Sequence, residues 1–416
     1  MVCNGCIFTV ELIQVGERSV AVCGIEGPNF SGRSSYLNKF GDAETTKSSN
    51  EGNWRNSFVG ADVHNYISGL IPTTQGELEL HGLCVSERRE TVCHLLNAIT
   101  DWDGLLSRNP LTLSGGQQVI LALATALLSA RDLMAIDCAL EQLSPEARKE
   151  VLRILSRSDE TGVRTVLADN RLSEFRSLVS VVESVPQQFR HFDDPLPPVL
   201  RGTPFAYSAK ACLINLDNIR FKYPKGPQVF TGLSYQFEPS RIYFLKGPNG
   251  VGKTTLCKIL CGLLRQNGGQ IVNESGAELD PWKEPGKIAT YHFQNPDIQL
   301  FSTSVFAEIG GGRRDIALSF GLESFLDSHP HDLPFVLRKR VALAATLSRE
   351  RPWLILDEPI LGQDDSTAIA FARVLGELIS TGIGVIIATH SQWFRSLFSD
   401  AVTLHLENSM LRDESS

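Results

Sequence analysis

Short apolar runs that end at polar residues recur along the chain. The run LMAID ends at Asp137, the run LIL is followed by Asp357, and VIIA fills residues 385–388. Runs of this length that are apolar at every position are typical of strands buried on both faces of a mostly parallel sheet. Two more apolar strands, at 19–23 and 242–245, each precede a glycine-rich turn and a helical pattern. The pattern therefore predicts an α/β fold.

The longest nearly uninterrupted apolar run, residues 119–130, is far shorter than the roughly 20 residues that cross a bilayer as a helix. We find no charged start followed by an apolar stretch and a cleavage site, so nothing directs the chain to the secretory route. These observations predict a cytoplasmic protein. Any role at a membrane would be peripheral.

Several segments of this sequence occur twice. GPNFSGRSS begins at Gly27 and GPNGVGKTT begins 220 positions later, at Gly247. The same offset places LMAID over LILDEP, LADN over IATH, and LSGGQ over LPFVL. Four landmarks in one register indicate an internal repeat. Proline-rich composition favours an extended connector, so we predict a first domain at 1–184, a linker at 185–210 and a second domain at 211–416.

The glycine-rich segment of the second half fits the phosphate-binding pattern G-x-x-x-x-G-K-[ST] completely. In this pattern, backbone N–H groups surround the phosphates, the lysine adds a charge at the β and γ oxygens, and the hydroxyl holds Mg²⁺. Lys253 and Thr254 fill the last two roles. The segment predicts that ATP and Mg²⁺ are bound by Gly247, Pro248, Asn249, Gly250, Val251, Gly252, Lys253, Thr254 and Thr255.

Polar side chains at strand ends supply the candidate catalytic groups, because ligands of open α/β sheets bind at this edge. Asp357 is suited to hold the Mg²⁺ hydration shell, and Glu358 to polarise the attacking water. His390 would bridge the γ-phosphate and the water, Gln294 would contact Mg²⁺ and the water, and Tyr223 would stack on adenine. The alternatives are an ordinary polar strand end, a structural histidine and a surface tyrosine.

Charge and cysteine content exclude several classes of protein. The net charge of −8 and the isoelectric point near 5.7 oppose a nucleic-acid partner, since affinity for polyanions comes from Lys and Arg. Nine cysteines, an odd number scattered along the chain, fit a reducing compartment better than a disulfide framework. Cys3 and Cys6 form one CxxC without a second pair, so free thiols are preferred to a metal site.

Together these residues resemble the ATP-binding cassette ATPases, whose signature LSGGQ stands at residues 113–117. The resemblance covers nearly the whole chain and implies two P-loop nucleotide-binding domains in tandem. In that family two cassettes pair head to tail, so that each nucleotide lies between one P-loop and the other signature. Small residues at a helix start form a ready anion site, so the resemblance assigns the γ-phosphate contacts to Ser114, Gly115, Gly116 and Gln117.

More narrowly, FQNPDIQLFSTSVFAEI, GLESFLDSHP and DEPILGQD look like the ATPases of energy-coupling factor importers. That resemblance implies two membrane partners, an integral coupling subunit and a small substrate-binding membrane protein, with this chain attached to the inner face of the cell membrane. A groove near Gln294, with Gln299 and Phe301, would receive a partner helix. The alternative is a soluble cassette ATPase that acts as a regulator or machine in ribosome or DNA metabolism.

The two halves are chemically unequal. In the first half, Lys253 is replaced by Arg33, Glu358 by Cys138, His390 by Asn170 and, in our interpretation, Gln294 by Gly60. In the second half the signature has become LPFVL. Head-to-tail pairing would bring all intact groups into one ATP site and all altered groups into the other. The altered site, with Gly27, Gly32, Arg33 and Ser34, is predicted to hold nucleotide in a changed geometry.

Overall fold

The apolar runs form parallel strands in two separate units. The computed structural model describes residues 22–26, 57–60, 63–68, 70–84, 86–98, 102–130, 133–157, 163–169, 178–179, 181–184, 210–224, 226–248, 250–311 and 313–414. The chain divides into Met1–Asp193 and Asp194–Ser416. This division falls inside the segment predicted as the linker. Residues 185–209 lie outside the described residues, and the domain bounds at 184, 185, 210 and 211 stay predictions.

The described part of the first unit contains a parallel sheet with the strand order β2-β3-β4-β1-β5. Its strands are β1 (Val22–Glu26), β2 (Ser57–Val59), β3 (Leu133–Asp137), β4 (Arg164–Asp169) and β5 (Val181–Ser184). Its helices are α1 (Thr74–Leu80), α2 (Arg89–Asn97), α3 (Gly115–Ser129) and α4 (Pro145–Leu155). Residues 118–127 of α3 are all buried, which explains why this helix is apolar on every side.

The second unit has a mixed sheet and a smaller antiparallel sheet. The mixed sheet has the order β10-β11-β12-β8-β13-β14 and the smaller sheet the order β7-β6-β9. The strands are β6 (Ile214–Lys222), β7 (Gln228–Phe237), β8 (Ile242–Lys246), β9 (Gly268–Val272), β10 (Ala289–His292), β11 (Trp353–Asp357), β12 (Gly384–Ala388), β13 (Val402–Glu407) and β14 (Met410–Asp413). The helices are α5 (Lys253–Leu260), α6 (Val305–Glu308), α7 (Arg314–Ser319), α8 (Phe335–Ser348), α9 (Asp365–Ser380) and α10 (Gln392–Ser396).

Strand order repeats between the units. The sequence β2-β3-β4-β1-β5 of the first sheet corresponds, strand by strand, to β10-β11-β12-β8-β13 of the second. The pairing register repeats as well. Ile136 of β3 pairs with Leu167 of β4, and the residues 220 positions later, Leu356 of β11 and Ile387 of β12, also pair with each other. The prediction of an α/β unit that occurs twice is confirmed.

A C-terminal hairpin holds strand β8 in place. Its turn residues Asn408 and Ser409 have positive φ angles of 47° and 60°, and the Ser409 hydroxyl accepts the Thr231 N–H of β7 at 3.0 Å. Glu414 bonds to Lys246, the last residue of β8, at 2.8 Å, and this ammonium lowers the pKa of Glu414 to about 2. The hairpin therefore anchors the strand that leads into the glycine-rich loop.

Within the described residues, no helix combines the length and the apolar character that crossing a membrane requires.

Candidate functional site

The glycine-rich loop joins β8 to α5 in the second unit, and two of its glycines are required by close packing. Gly247 has a φ of 145°, and a Cβ atom there would lie 2.5 Å from the Leu406 carbonyl oxygen of β13. Gly252 has a φ of 112°, and its Cβ atom would lie 2.7 Å from Val229 Cγ1 and 2.9 Å from the Phe230 ring. The loop is therefore held between β13 and β7, with Lys253 as the first residue of α5.

Gly252→Ala is expected to destabilise the second unit by about 1–3 kcal/mol, because it combines a left-handed backbone with a steric clash. The control is Gly376→Ala in helix α9, where a Cβ atom would meet nothing within 4 Å and the better helix former should add about 0.5–1 kcal/mol. Denaturant unfolding followed by circular dichroism measures both changes. Equal stability of the two variants would contradict the packing argument.

Lys253 is held by the loop that precedes it. Its Nζ atom donates to the carbonyl oxygens of Gly247 at 2.7 Å and Pro248 at 3.1 Å. Burial lowers the pKa of Lys253, and the carboxylates of Glu358 and Asp357 oppose this change. The ammonium therefore lies at the loop and close to both carboxylates, and its contact with phosphate stays a prediction.

Asp357 lies at the end of β11 and receives two hydroxyl groups on one oxygen. Thr254 Oγ1 and the Tyr291 hydroxyl each donate to Asp357 Oδ2 at 2.8 Å. A hydroxyl and a carboxylate in contact are hard oxygen ligands of the kind that Mg²⁺ prefers. The residues present fit the predicted ion, and the roles of Thr254, Asp357 and Gln294 in holding it stay predictions. When bound, Mg²⁺ would neutralise charge on the β- and γ-phosphate oxygens.

Glu358 has an unusual backbone and a fixed side chain. Its φ angle is 46°, and its N–H donates to the Ala388 carbonyl at 2.8 Å. The Thr389 hydroxyl donates to Oε2 at 2.8 Å, and the His390 N–H donates to Oε1 at 2.9 Å. Burial raises the pKa of Glu358 to about 7. Both carboxylate oxygens are therefore oriented by the segment that follows β12.

Strand order places the other predicted residues at the same edge. Strands β10, β11, β12 and β8 are parallel neighbours, so their carboxyl ends coincide. Gln294 lies two residues beyond β10 and His390 two residues beyond β12. Tyr223 follows β6, and its hydroxyl lies 3.0 Å from Thr255 Oγ1 beside the loop. The contacts of Gln294, His390 and Tyr223 with nucleotide stay predictions, and Asn249 lies outside the described residues.

Sequence reasoning missed two residues that orient the carboxylates. Tyr291 lies in the apolar strand β10 and bonds Asp357, and Thr389 precedes the predicted His390 and bonds Glu358. Thr389 could have been found from the repeat, because the matching position in the first half, Asp169, is also polar and also follows an apolar run. Tyr291 offers no comparable indication, since aromatic residues are common in buried strands.

The first unit repeats the backbone of this site without its carboxylate. Cys138 has a φ of 55°, and its N–H donates to the Ala168 carbonyl at 2.8 Å, as in Glu358. Its side chain is buried, and no thiol can orient water as a carboxylate does. The remaining predicted residues of this half, Gly27, Gly32, Arg33, Ser34 and Asn170, lie outside the described residues.

Strand pairing changes the predicted equivalent of Gln294. The last residues of β2 and β10 lie opposite equivalent residues of β3 and β11 in the two units. Gln294 stands two positions after β10, and Ala61 stands two positions after β2. The equivalent is therefore Ala61, and the prediction of Gly60 is wrong by one residue because the two loops differ in length. Neither residue has a side-chain amide.

Helix starts also differ between the units. Ser114 caps α3 through its hydroxyl, which accepts the Gln117 N–H, while Gln117 Oε1 accepts the Ser114 N–H at 3.0 Å. This capping box leaves a small-residue helix start with Gly115 and Gly116 in its first turn. The matching helix α8 follows Pro334, which makes no side-chain cap. The first unit alone keeps a signature segment suited to a phosphate.

Known proteins are similar to parts of this chain. The family described as ABC transporter matches residues 230–361. A protein of Methanothermobacter marburgensis, named as an ABC transporter ATP-binding protein, is 32% identical over 209 residues, which cover 46% of this chain and 74% of that protein. The chain belongs to the ATP-binding cassette family. As a member of this family of ATPases, it binds and hydrolyses ATP.

Two further proteins are similar to this chain. The energy-coupling factor transporter ATP-binding protein EcfA of Methanocaldococcus jannaschii is 28% identical over 218 residues, 48% of this chain and 78% of that protein. A chain in a model of ribosome-bound archaeal Pelota and ABCE1 is 19% identical and superimposes with a TM-score of 0.66, covering 94% of this chain and 74% of that chain. This second likeness shows the fold, two ABC-type P-loop domains in tandem.

Proposed function

We propose that this cassette protein is the ATP-hydrolysing subunit of a membrane transporter of the energy-coupling factor type. One surface carries the proposal. The loop that follows Gln294 presents two apolar side chains to solvent, Phe301 with 82% and Ile298 with 53% of its surface exposed. Exposed apolar side chains in this loop are suited to contact an apolar partner helix.

The backbone of this loop is fixed by a buried carboxylate. Glu308 Oε2 accepts the N–H groups of Phe301 at 2.8 Å and Ser302 at 2.7 Å. Because two charge-assisted bonds hold the loop, Phe301 is presented by an ordered backbone.

A related loop occurs in the first unit. The buried Glu77 accepts the Ser68 N–H at 2.7 Å, and Leu70 has 89% of its surface exposed. We propose that each loop contacts an integral membrane coupling subunit, which in turn holds a substrate-binding membrane protein. The chain would then lie in the cytoplasm, at the inner face of the cell membrane.

The two units are proposed to pair head to tail within the chain. The competent ATP site would combine Lys253, Gln294, Asp357, Glu358 and His390 with the signature residues Ser114, Gly115, Gly116 and Gln117. The other site would combine the altered loop of the first unit with the capless start of α8. It would hold nucleotide and keep the pair together while the competent site turns over.

The alternative function is that of a soluble machine in ribosome or DNA metabolism. The likeness over nearly the whole chain to the ribosome-bound structure shows the fold, and it is compatible with this alternative because one scaffold serves both classes. The net charge of −8 opposes a polyanion as the partner. Transport is therefore the function that we propose, and recovery of ribosomes or DNA with the chain would favour the alternative.

Affinity purification of the full chain from detergent-solubilised membranes tests this proposal. We expect an integral membrane subunit to co-purify, and Phe301→Ser to reduce its recovery about tenfold, since a buried aromatic anchor commonly contributes more than 1 kcal/mol. Trp282→Ser is the control, because Trp282 is 45% exposed and lies in the connection between β9 and β10. Co-purification of ribosomes or DNA without a membrane subunit would overturn the proposal.

A further inference from the structure

A lysine side chain lies fully buried in helix α8 of the second unit. Lys339 has no exposed surface, although it belongs to a residue type that is rarely buried without a partner. Burying an ammonium is costly unless hydrogen bonds compensate it. The buried ammonium of Lys339 therefore needs a hydrogen-bond acceptor as its partner.

That partner is the backbone of the proposed catalytic glutamate. Lys339 Nζ donates to the Glu358 carbonyl oxygen at 2.8 Å. The N–H of Glu358 is bonded on the opposite side to the Ala388 carbonyl at 2.8 Å. The residue is thus held at both ends by groups from two different elements, α8 and β12.

The Lys339 bond acts on a residue whose backbone conformation is unfavourable. Its φ of 46° is left-handed, which is unfavourable for a residue with a Cβ atom and persists only where the surroundings impose it. The carbonyl group is part of the peptide that follows the left-handed residue. A bond to that carbonyl therefore opposes rotation of Glu358 out of its conformation, and its carboxylate stays aligned with Thr389 and His390.

The first unit provides an internal comparison. The residue 220 positions before Lys339 is Val119, which is also fully buried, and the residue 220 positions before Glu358 is Cys138. Cys138 keeps the left-handed backbone, with a φ of 55°. At the position of the buried cation the first unit therefore has a valine, and it has Cys138 in place of the glutamate, although both residues have a left-handed φ.

We propose that Lys339 is a positioning residue for ATP hydrolysis, which holds Glu358 through its carbonyl oxygen so that the carboxylate can orient the attacking water. This inference rests on the proposed catalytic role of Glu358. Lys339 does not contact nucleotide in this proposal, and it acts only through the glutamate.

Steady-state ATPase kinetics of the full chain with Lys339→Met, Glu358→Gln and the double variant test the proposal. Lys339→Met keeps the length of the side chain and removes its charge and donors. We expect kcat to fall about 10- to 100-fold, because a small misplacement of a catalytic group has an effect of this size, while KM for ATP stays within about threefold. In the Glu358→Gln background, Lys339→Met should lower kcat by less than about twofold, because both changes act on one group.

Several outcomes separate the possibilities. A folded Lys339→Met protein with wild-type kcat, or a loss of the same size in the Glu358→Gln background, would overturn the positioning role. Full turnover of Glu358→Gln alone would instead overturn the proposed catalytic role. If Lys339→Met does not fold, judged by circular dichroism, Lys339→Gln replaces it with the same expectations, since it removes the charge and keeps a polar side chain.

Discussion

The Glu358→Gln variant of the full chain is expected to lose about 10²- to 10⁴-fold in ATP turnover, the usual contribution of a general base. Glutamine keeps the shape of the side chain and the acceptor for the Thr389 hydroxyl or the His390 N–H, so the fold and ATP binding should be retained. Phosphate release measured at saturating ATP gives the loss in turnover. Equilibrium binding of a fluorescent ATP analogue tests whether ATP binding is retained.

The matched control is Cys138→Ala in the first unit. Cys138 occupies the same left-handed position after an equivalent strand, but it has no carboxylate to lose. Turnover should stay within about threefold of wild type, the range expected where no catalytic group is removed. Equal loss from both variants would show that the two units contribute equally, contrary to the proposed asymmetry.

An arginine at Ser114 is expected to lower ATP turnover about 100-fold, the effect of removing one transition-state donor. Ser114 belongs to the first unit, whereas the side chains that we propose to be catalytic belong to the second. The loss follows only if the units pair head to tail, because the bulky side chain would then block the helix start that faces the γ-phosphate. Phosphate release by the full chain measures the effect.

Pro334→Arg is the control for this change. Pro334 is exposed, as Ser114 is, and precedes the equivalent helix α8, so it belongs to the site proposed to be inactive. We expect turnover within about threefold of wild type. Ser114→Ala separates the loss of the hydroxyl from the added bulk of arginine, because it removes the cap, which typically contributes about 1 kcal/mol, without adding bulk. Unchanged turnover in Ser114→Arg would contradict the pairing.

Much of the fold could be predicted because its elements are local in sequence. A buried strand requires an uninterrupted apolar run, and a phosphate loop requires glycines at a fixed spacing from a lysine. These constraints act within about ten residues, so the offset of 220 aligned β3 with β11 and Cys138 with Glu358. Cys138 and Glu358 both have a positive φ, so the residues that the offset aligns also share a backbone conformation.

The prediction failed where the two halves differ in length. The equivalent of Gln294 was placed at Gly60, whereas strand pairing places it at Ala61. A repeat register transfers only through segments without insertions, and the loop after β2 does not keep the offset. The pairing of β2 with β3 determines which residue of the first half corresponds to Gln294. This pairing is fixed because a shift of one residue would exchange the two faces of the sheet.

The sequence alone predicted the candidate chemistry of this protein: a P-loop with Lys253, a carboxylate pair at a strand end, and a second copy in which Arg33 and Cys138 replace the lysine and the glutamate. Only the tertiary structure revealed what orients those groups. Tyr291 bonds Asp357 across 66 positions of the chain, and Lys339 bonds the Glu358 backbone across 19. Motifs follow from backbone geometry over a few residues, but contacts between distant segments depend on how whole elements pack.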